Sequence, residues 1–518
     1  MLFVSSTIPA EAFVGMLIVA PFVIATLKLG VLKTPMLIVI MVNLFVGVVL
    51  RAIALANGLG TIEAPHLDEW EAVRLGLLVI GIASVLAFLG YVIGRWQRKS
   101  NAVERRDEIA RRRWDETLSL AKCSVLAGMC ALAAVSAYWF STAARGLPYL
   151  DPVYVFFEVS RFRTYDIGGM EGNDAFLGVV TFFGNQIGAV LIWKAVAGSD
   201  RRNVEYASYA VLVSVVTLSA AVPGLLAGSR FGVFATVATF MVGWAVVRGR
   251  VGWKYVVGAA VSLLVVIAVI ALQGRIRMEG DQIKVEQALQ IRDAMWNVLD
   301  WVGTSGHFLA VDRVGYIADY VMRGENTFPT GGSLVAALLA FIPRRVWPEK
   351  PTIHEGVFVA EVVYGHFTGA GYPPGLIGGL LLNFGVLGLL LMPLFGYAAA
   401  RVDGLAERAR VDLSAFLRWT ALWWSVGVDI LQSSLATGVV VVVVKMGTAA
   451  LVWRAIGGRG PLWLVKGRQN VIANDQTRER YSMTKARSKG AIRLHGQAAE
   501  ESRWLRRRRH MRGLELRG

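Results

Sequence analysis

One stretch of the sequence, Phe328 to Gly388, combines membrane-grade hydrophobicity with side chains that can bind anions and move protons. Three basic residues come first, namely Arg344, Arg345 and Lys350. Three candidate general bases follow them, namely His354, Glu355 and His366. Guanidinium and ammonium groups bind phosphate, whereas an imidazole or a carboxylate can take a proton from a hydroxyl group. The stretch therefore predicts a site for a phosphate-bearing amphiphile, with His354, Glu355 and His366 as candidate catalytic bases.

Simpler interpretations of these residues stay open. His354 beside Glu355 is also typical of an exposed polar pair. The basic side chains would equally suit ordinary lipid head groups, or ion pairs with Glu349 or Glu361. No metal site is predicted, because the sequence HEGVF lacks the second histidine of a zinc-binding helix.

Two glycine-rich helix starts accompany the basic residues. Thr330 to Ser333 offers backbone N–H groups, which favour anions at the start of a helix. Ser229 and Arg230 open another predicted helix and join Arg344, Arg345 and Lys350 as predicted anion-binding residues. The glycines at 224, 228 and 232 also fit a small-residue packing face.

The apolar run Leu334 to Ile342 follows the second glycine-rich start. It has nine residues and ends at Pro343, whereas a helix needs roughly 20 residues to cross a bilayer. We expect this run to dip into the membrane or to lie on it.

The elements that position this stretch must be membrane helices. The chain is 55% hydrophobic with a mean hydropathy of +0.52, and long charge-free runs recur from residue 10 to residue 456. This composition excludes a soluble enzyme and predicts an all-α polytopic membrane protein. About eleven spans are predicted, at 10–28, 35–56, 73–94, 118–140, 175–197, 206–226, 230–247, 254–273, 375–397, 413–435 and 437–456.

The distribution of basic residues predicts the orientation. The loop after the third span carries eight arginines and lysines between Arg95 and Arg113, and such loops stay in the cytoplasm. The N-terminus, which does not resemble a cleaved signal peptide, is then outside. The loops 141–174 and 274–374 are also outside, and within the second loop amphipathic helices are expected at 285–302 and 308–322, lying on the outer membrane face.

The last segment, 457–518, is predicted to be a cytoplasmic tail. It holds sixteen Lys or Arg against five Asp or Glu, so it supplies +11 of the net charge of +17. A polybasic segment after a membrane helix favours contact with acidic lipid over nucleic-acid binding. Much of the tail is expected to be disordered.

Two charged residues lie inside predicted spans. Asp429 in the tenth span and Lys445 in the eleventh flank a short turn, so they fall at similar depth in an antiparallel hairpin. A structural ion pair is the leading interpretation, because an unpaired charge in hydrocarbon is costly. A proton or ion path is the alternative.

The order of these motifs resembles the Wzy-type oligosaccharide repeat-unit (O-antigen) polymerases. The resemblance covers about residues 200–400 and rests on GSR opening a helix, a long external loop, GGS with an apolar dip, IPRRVWPEKP, and PPGLIGGLLLNFGVLG leading into a span. It implies a membrane glycosyltransferase of the GT-C type in the bacterial inner membrane. It further implies polymerisation of oligosaccharides linked to undecaprenyl pyrophosphate, on the outer face, for a surface polysaccharide or exopolysaccharide.

The residues are compatible with that implication. The sequence contains no Asp-x-Asp and no Walker loop, so neither a nucleotide sugar nor ATP has an obvious site, and no cofactor is predicted. Arginines and helix starts suffice to stabilise a departing pyrophosphate without metal. The expected partners are the lipid-linked oligosaccharide, membrane lipids, and a chain-length regulator and flippase of the same pathway. An O-antigen ligase and a lipid-linked oligosaccharide flippase or transporter are the alternatives.

Overall fold

A computed structural model describes residues 8–57, 66–97, 119–144, 146, 171–197, 203–226, 230–249, 251–252, 257–258, 261, 310–324, 332–339, 342, 355–365, 372–433, 435–458 and 462. All regular structure within these ranges is helical. Seven stretches are long and apolar enough to cross a membrane, namely Ala10–Leu29, Pro35–Ala56, Glu69–Trp96, Leu120–Phe140, Gly178–Val196, Gly375–Ala409 and Leu435–Ala455. The predicted class, an α-helical polytopic membrane protein, is therefore confirmed.

The helices are numbered in chain order. They are α1 (Ala10–Leu29), α2 (Pro35–Ala56), α3 (Glu69–Trp96), α4 (Leu120–Ala144), α5 (Glu171–Ala197), α6 (Asn203–Leu226), α7 (Arg230–Arg248), α8 (Val311–Met322), α9 (Gly332–Leu338), α10 (Glu355–Phe358), α11 (Gly375–Phe384), α12 (Met392–Ala409), α13 (Leu413–Trp424) and α14 (Leu435–Ala455). Wider π-helical turns occupy Phe45–Leu50 within α2 and continue α10 and α13 as Val359–Val363 and Ser425–Ser433.

The number of eleven spans stays a prediction. Helices α6 and α7 coincide with predicted spans. The apolar parts of these helices, Ser208–Val222 and Ala235–Arg248, are however shorter than the other seven stretches and are not counted with them. The predicted span 254–273 and the predicted helix 285–302 lie almost wholly outside the described residues.

The predicted span over 375–397 is interrupted by a turn. Gly385 ends α11 with φ 62° and ψ −160°, a conformation that essentially only glycine adopts. A Cβ atom on Gly388 would lie 2.4 Å from the Leu380 carbonyl oxygen, whereas residues eight apart in a straight helix are about 12 Å apart. The chain therefore folds back on α11 before α12 begins.

Helix α8 lies inside the helical bundle. The predicted helix at 308–322 is present, but its expected position on the membrane surface is wrong, since ten of its twelve residues are buried. Glycines permit this close packing: a Cβ on Gly315 would lie 1.8 Å from the Ala72 carbonyl oxygen, and one on Gly76 would lie 1.9 Å from that of Val311. Helical periodicity shows that α8 has a polar side, but not whether that side meets water or a buried partner.

Helix α3 packs on α12 by the same means. A Cβ on Gly396 would lie 1.8 Å from the Ala87 carbonyl oxygen. The buried Asp403 of α12 then accepts hydrogen bonds from the Tyr91 hydroxyl, at 2.7 Å, and from the Met36 N–H at the start of α2, at 2.8 Å. Helix α3 is thereby held against α8 and against α12.

The chain divides into two compact units, Met1–Gly458 and Arg459–Gly518. The first contains all the helices named above. The second, which includes nearly all of the predicted basic tail, lies almost wholly outside the described residues. Its predicted disorder and lipid contact stay predictions.

Candidate functional site

A buried polar network joins three short helices near the centre of the predicted site. Helix α9 contributes Ser333, α10 begins with Glu355, and α11 contributes Asn383, each at most 1% exposed. Ser333 Oγ is hydrogen-bonded to Glu355 Oε1 and lies 2.9 Å from Asn383 Oδ1. Asn383 Nδ2 donates to Glu355 Oε1 at 3.1 Å. The network therefore places a carboxyl group of the predicted basic stretch in the protein interior.

Backbone groups fix the orientation of the Asn383 amide. Its Nδ2 donates to the Gly379 carbonyl at 2.8 Å, and its Oδ1 accepts from the Ser333 N–H at 3.2 Å. A carbonyl can only accept a hydrogen bond and an N–H can only donate one. In the reversed amide, Oδ1 would face the Gly379 carbonyl oxygen and Nδ2 would face the Ser333 N–H, and neither contact could be a hydrogen bond. The amide is thus held in one orientation.

The second carboxyl oxygen of Glu355 lies beside a glycine and the start of α14. A Cβ on Gly379 would lie 3.1 Å from Glu355 Oε2 and 3.5 Å from the Leu435 backbone nitrogen. Glycine at 379 therefore allows α11 to approach both groups. The start of a long helix such as α14 also carries a partial positive charge of roughly half an elementary charge.

A charged cluster lies on the neighbouring helix α8. The Arg51 guanidinium contacts the Asp312 carboxylate through two hydrogen bonds, Nε–Oδ1 at 3.1 Å and Nη2–Oδ2 at 2.7 Å. Burial raises the pKa of Asp312, but the paired Arg51 and the neighbouring Arg313 outweigh burial, so this pKa lies below the usual aspartate value. Asp312 is therefore ionised at neutral pH.

Aromatic side chains connect the two clusters. Arg313 donates to the Pro373 carbonyl at 2.9 Å and lies over the Tyr372 ring, 5.4 Å from its centroid. The Tyr372 ring meets that of Tyr364 edge to face at 5.1 Å, and the Tyr372 N–H donates to the Gly356 carbonyl at 2.9 Å. Since Gly356 follows Glu355, the residues from Arg313 to the carboxyl network form one packed unit.

Burial also affects two neighbouring tyrosines, Tyr364 of this unit and Tyr316 of α8. It raises the pKa of Tyr364 above the usual tyrosine value, with Arg313 acting in the opposite direction. The Tyr364 ring also meets that of Tyr316 edge to face at 5.4 Å. Burial likewise raises the pKa of Tyr316, so the phenols of Tyr364 and Tyr316 stay neutral at physiological pH.

Among the predicted catalytic and anion-binding residues, only Glu355 has its side chain within the described part of the chain. Arg230 begins α7, as predicted, but its side chain is not described. The other predicted residues lie outside the described ranges: Ser229, Arg344, Arg345, Lys350, His354 and His366. Their convergence on Glu355 stays a prediction.

Most partners of the two clusters were not predicted from the sequence. Asn383 is the one amide in the apolar run of α11, and an isolated polar residue in such a run is a signal that it has a buried partner. Arg51 lies inside the predicted span 35–56, where a charged side chain is also a signal of a buried partner.

The ion pair expected between neighbouring predicted spans is present in the structure. Lys445 Nζ lies 2.7 Å from Asp429 Oδ2 and 4.8 Å from the centroid of the Phe182 ring. Asp429 lies in the π-helical segment Ser425–Ser433, and such segments frequently occur at functional sites. A purely structural role for the pair stays a prediction.

Comparisons with known proteins give no match: no family model, no curated protein and no solved structure matches the chain. The resemblance in motif order therefore stays an expectation. Function has to be inferred from the side chains of the site.

Proposed function

We propose that this protein polymerises oligosaccharide repeat units linked to a polyprenyl pyrophosphate, on the outer face of the bacterial inner membrane. The observation that carries the proposal is the position of Glu355. This carboxyl group is buried in a helical membrane protein, directly after the basic segment from Arg344 to Lys350. Such a place suits a lipid-borne anionic substrate better than a soluble one.

The proposed reaction needs two kinds of group. The hydroxyl oxygen of the acceptor sugar attacks the anomeric carbon of the donor, and the bond to the pyrophosphate oxygen breaks as the glycosidic bond forms. The pyrophosphate leaves with its electron pair and is stabilised by Arg344, Arg345 and Lys350, assisted by Ser229 and Arg230. The proton of the attacking hydroxyl goes to His354, Glu355 or His366.

The proposal extends to orientation and partners. The long loop 274–374 would face outward and the tail would face the cytoplasm, in agreement with the bias of the basic loops. A flippase would supply the lipid-linked substrate, and a chain-length regulator would control the product.

Deletion of the gene followed by sizing of the cell-surface glycan tests the proposal. A polymerase predicts glycan of a single repeat unit, and restoration of polymer by the wild-type gene. The variants Arg230→Lys and Arg344→Lys should already reduce polymer length, because lysine keeps the charge but loses the two-pronged contact with phosphate. Unchanged polymer from both well-folded variants would place the site elsewhere, and long free lipid-linked chains in the deletion strain would indicate a ligase.

A transporter of lipid-linked oligosaccharides is the second candidate. The turn at Gly385 and the π-helical segment that contains Asp429 interrupt helices, and discontinuous helices are typical of substrate sites in transporters. The same deletion separates the two functions, because loss of a flippase removes all external glycan instead of shortening it.

A further inference from the structure

The hydrogens of the Ser333–Glu355–Asn383 network can be counted from its heavy atoms. Ser333 Oγ makes close contacts with two other oxygens, Glu355 Oε1 and Asn383 Oδ1. A serine hydroxyl has a single hydrogen and can donate to only one of them. The other contact needs a hydrogen from the other group.

Asn383 cannot supply that hydrogen. Its Oδ1 is identified by the Ser333 N–H that donates to it, and its Nδ2 by the Gly379 carbonyl that accepts from it. The remaining source is the Glu355 carboxyl group. We propose that Glu355 binds a proton in the resting protein and donates it to Ser333, so that the network is a buried proton-binding site.

Each of these contacts is then a hydrogen bond with a defined direction. Glu355 Oε1–H donates to Ser333 Oγ, and Ser333 Oγ–H donates to Asn383 Oδ1. Asn383 Nδ2 uses its two hydrogens for the Gly379 carbonyl and for Glu355 Oε1. The Ser333 hydroxyl and the Asn383 amide then have a partner for every hydrogen without an ionised group, which favours a stable buried network.

The start of α14 acts in the opposite direction. Its partial positive charge favours an ionised carboxylate nearby. With an ionised Glu355, however, the single hydrogen of the Ser333 hydroxyl could serve only one of its two contacts. Either Asn383 Oδ1, at 2.9 Å, or Glu355 Oε1 would then lie against Ser333 Oγ with no hydrogen between the two oxygens. Because such a contact is repulsive and the helix start gives only a partial charge, the protonated form is favoured.

The titratable groups of the described neighbouring segments do not change this count. The described neighbouring segments bring Glu361 and Tyr364 from its own helical segment, Tyr372, and Asp312 with Arg313 from α8. Asp312 is paired with Arg51, and Arg313 with the Pro373 carbonyl. Helices α9 and α11 and the first ten residues of α14 carry no titratable side chain.

The inference does not depend on the proposed function, but it constrains it. A protonated carboxyl cannot accept the proton of an attacking hydroxyl, so Glu355 acts as a base only after its own proton has left. If His354 or His366 is the base, Glu355 is a positioning residue. The variant Glu355→Gln distinguishes these roles, because an amide cannot accept a proton. Polymerisation is lost in this variant if Glu355 is the base, and is retained if Glu355 only positions its neighbours.

Infrared difference spectroscopy of the full-length protein in lipid nanodiscs tests the proton directly. Wild type minus Glu355→Gln at neutral pH should show the carbonyl band of a protonated carboxyl, and Ser333→Ala should shift that band by removing its acceptor. The exposed Glu361 lies on the same helical segment, so Glu361→Gln should leave the band in place. If Glu355→Gln fails to fold, the shift in Ser333→Ala decides alone. Loss of carboxylate bands only, or an unshifted band in Ser333→Ala, would overturn the proposal.

Discussion

Asp312 and Glu355 are both buried carboxyl groups on neighbouring segments, yet the described side chains that are hydrogen-bonded to them differ in charge. Asp312 faces the Arg51 guanidinium at 2.7 Å, whereas Glu355 contacts a serine hydroxyl and an asparagine amide. A buried carboxylate needs either a cation or a proton to offset the loss of hydration. Burial alone therefore does not determine whether a carboxyl group is charged. The nearest hydrogen-bond donors determine its charge.

Removal of the Arg51 guanidinium should have the largest effect. Arg51→Met leaves Asp312 as a buried charge without its counter-ion, which typically costs about 3–5 kcal/mol. We expect a corresponding loss in the free energy of unfolding, measured by denaturation in detergent. The matched control is Arg74→Met, which breaks an ion pair with Glu11 whose arginine is 69% exposed and should cost at most ~1 kcal/mol.

The same pair predicts the pH dependence of stability. Because the pKa of Asp312 is lowered in the folded protein, its contribution is present above the ordinary aspartate range and is lost as pH falls through the lowered value. In Arg51→Met burial, which raises the pKa of Asp312, is opposed only by Arg313 and a backbone hydrogen bond, so this loss should begin at higher pH. Equal stability of Arg51→Met and Arg74→Met would show that Asp312 has another sufficient partner.

The lengths and hydrophobicity of the apolar runs predicted most of the described membrane helices, because the thickness of the bilayer sets the length of a spanning run. The contact between Asp429 and Lys445 was also predictable, since the two residues are sixteen apart across one turn. Arg51 and Asp312 are separated by 261 residues. No local pattern encodes such a contact, so the buried position of α8 could not be predicted.

Substitution of Gly315 should move α8 without altering either carboxyl group. In Gly315→Ala the new Cβ would lie 1.8 Å from the Ala72 carbonyl oxygen, so α8 and α3 must separate. Overpacking of this kind costs about 1–3 kcal/mol, measurable as a lower thermal midpoint. Gly128→Ala in α4 is the control, because nothing lies within 4 Å of its added Cβ.

Gly315→Ala also sharpens the comparison between the two carboxyl groups. The Arg51–Asp312 pair depends on the distance between α2 and α8, whereas the Glu355 network lies between α9, α10 and α11. The infrared band assigned to Glu355 should therefore stay in place. A shifted band would show that the two clusters are coupled through the tyrosines.

Exchange of Asp429 and Lys445 tests a second charged pair, one that is less buried. The Asp429 side chain is 22% exposed, so water offsets part of the loss of its partner. Asp429→Lys combined with Lys445→Asp should retain more folded protein than either single change, with a coupling of about 0.5–3 kcal/mol in a double-mutant cycle. Equal loss in all three variants would argue against the contact, and loss of activity with normal folding would favour an ion path.

The smallest loss in the free energy of unfolding is expected from Glu355→Gln. Asp312→Asn also converts a carboxyl group to an amide, but its expected loss is larger. An amide at 355 can donate to Ser333 in place of the carboxyl O–H, but it then loses the hydrogen bond from Asn383 Nδ2, which is worth about 1 kcal/mol. Asp312→Asn instead removes the carboxylate that pairs with the buried Arg51, at a cost of about 3–5 kcal/mol. Unfolding of both variants under identical conditions gives the two values. If Glu355→Gln is as costly as Asp312→Asn, then Glu355 is ionised, and the two sites stabilise their carboxyl groups in the same way.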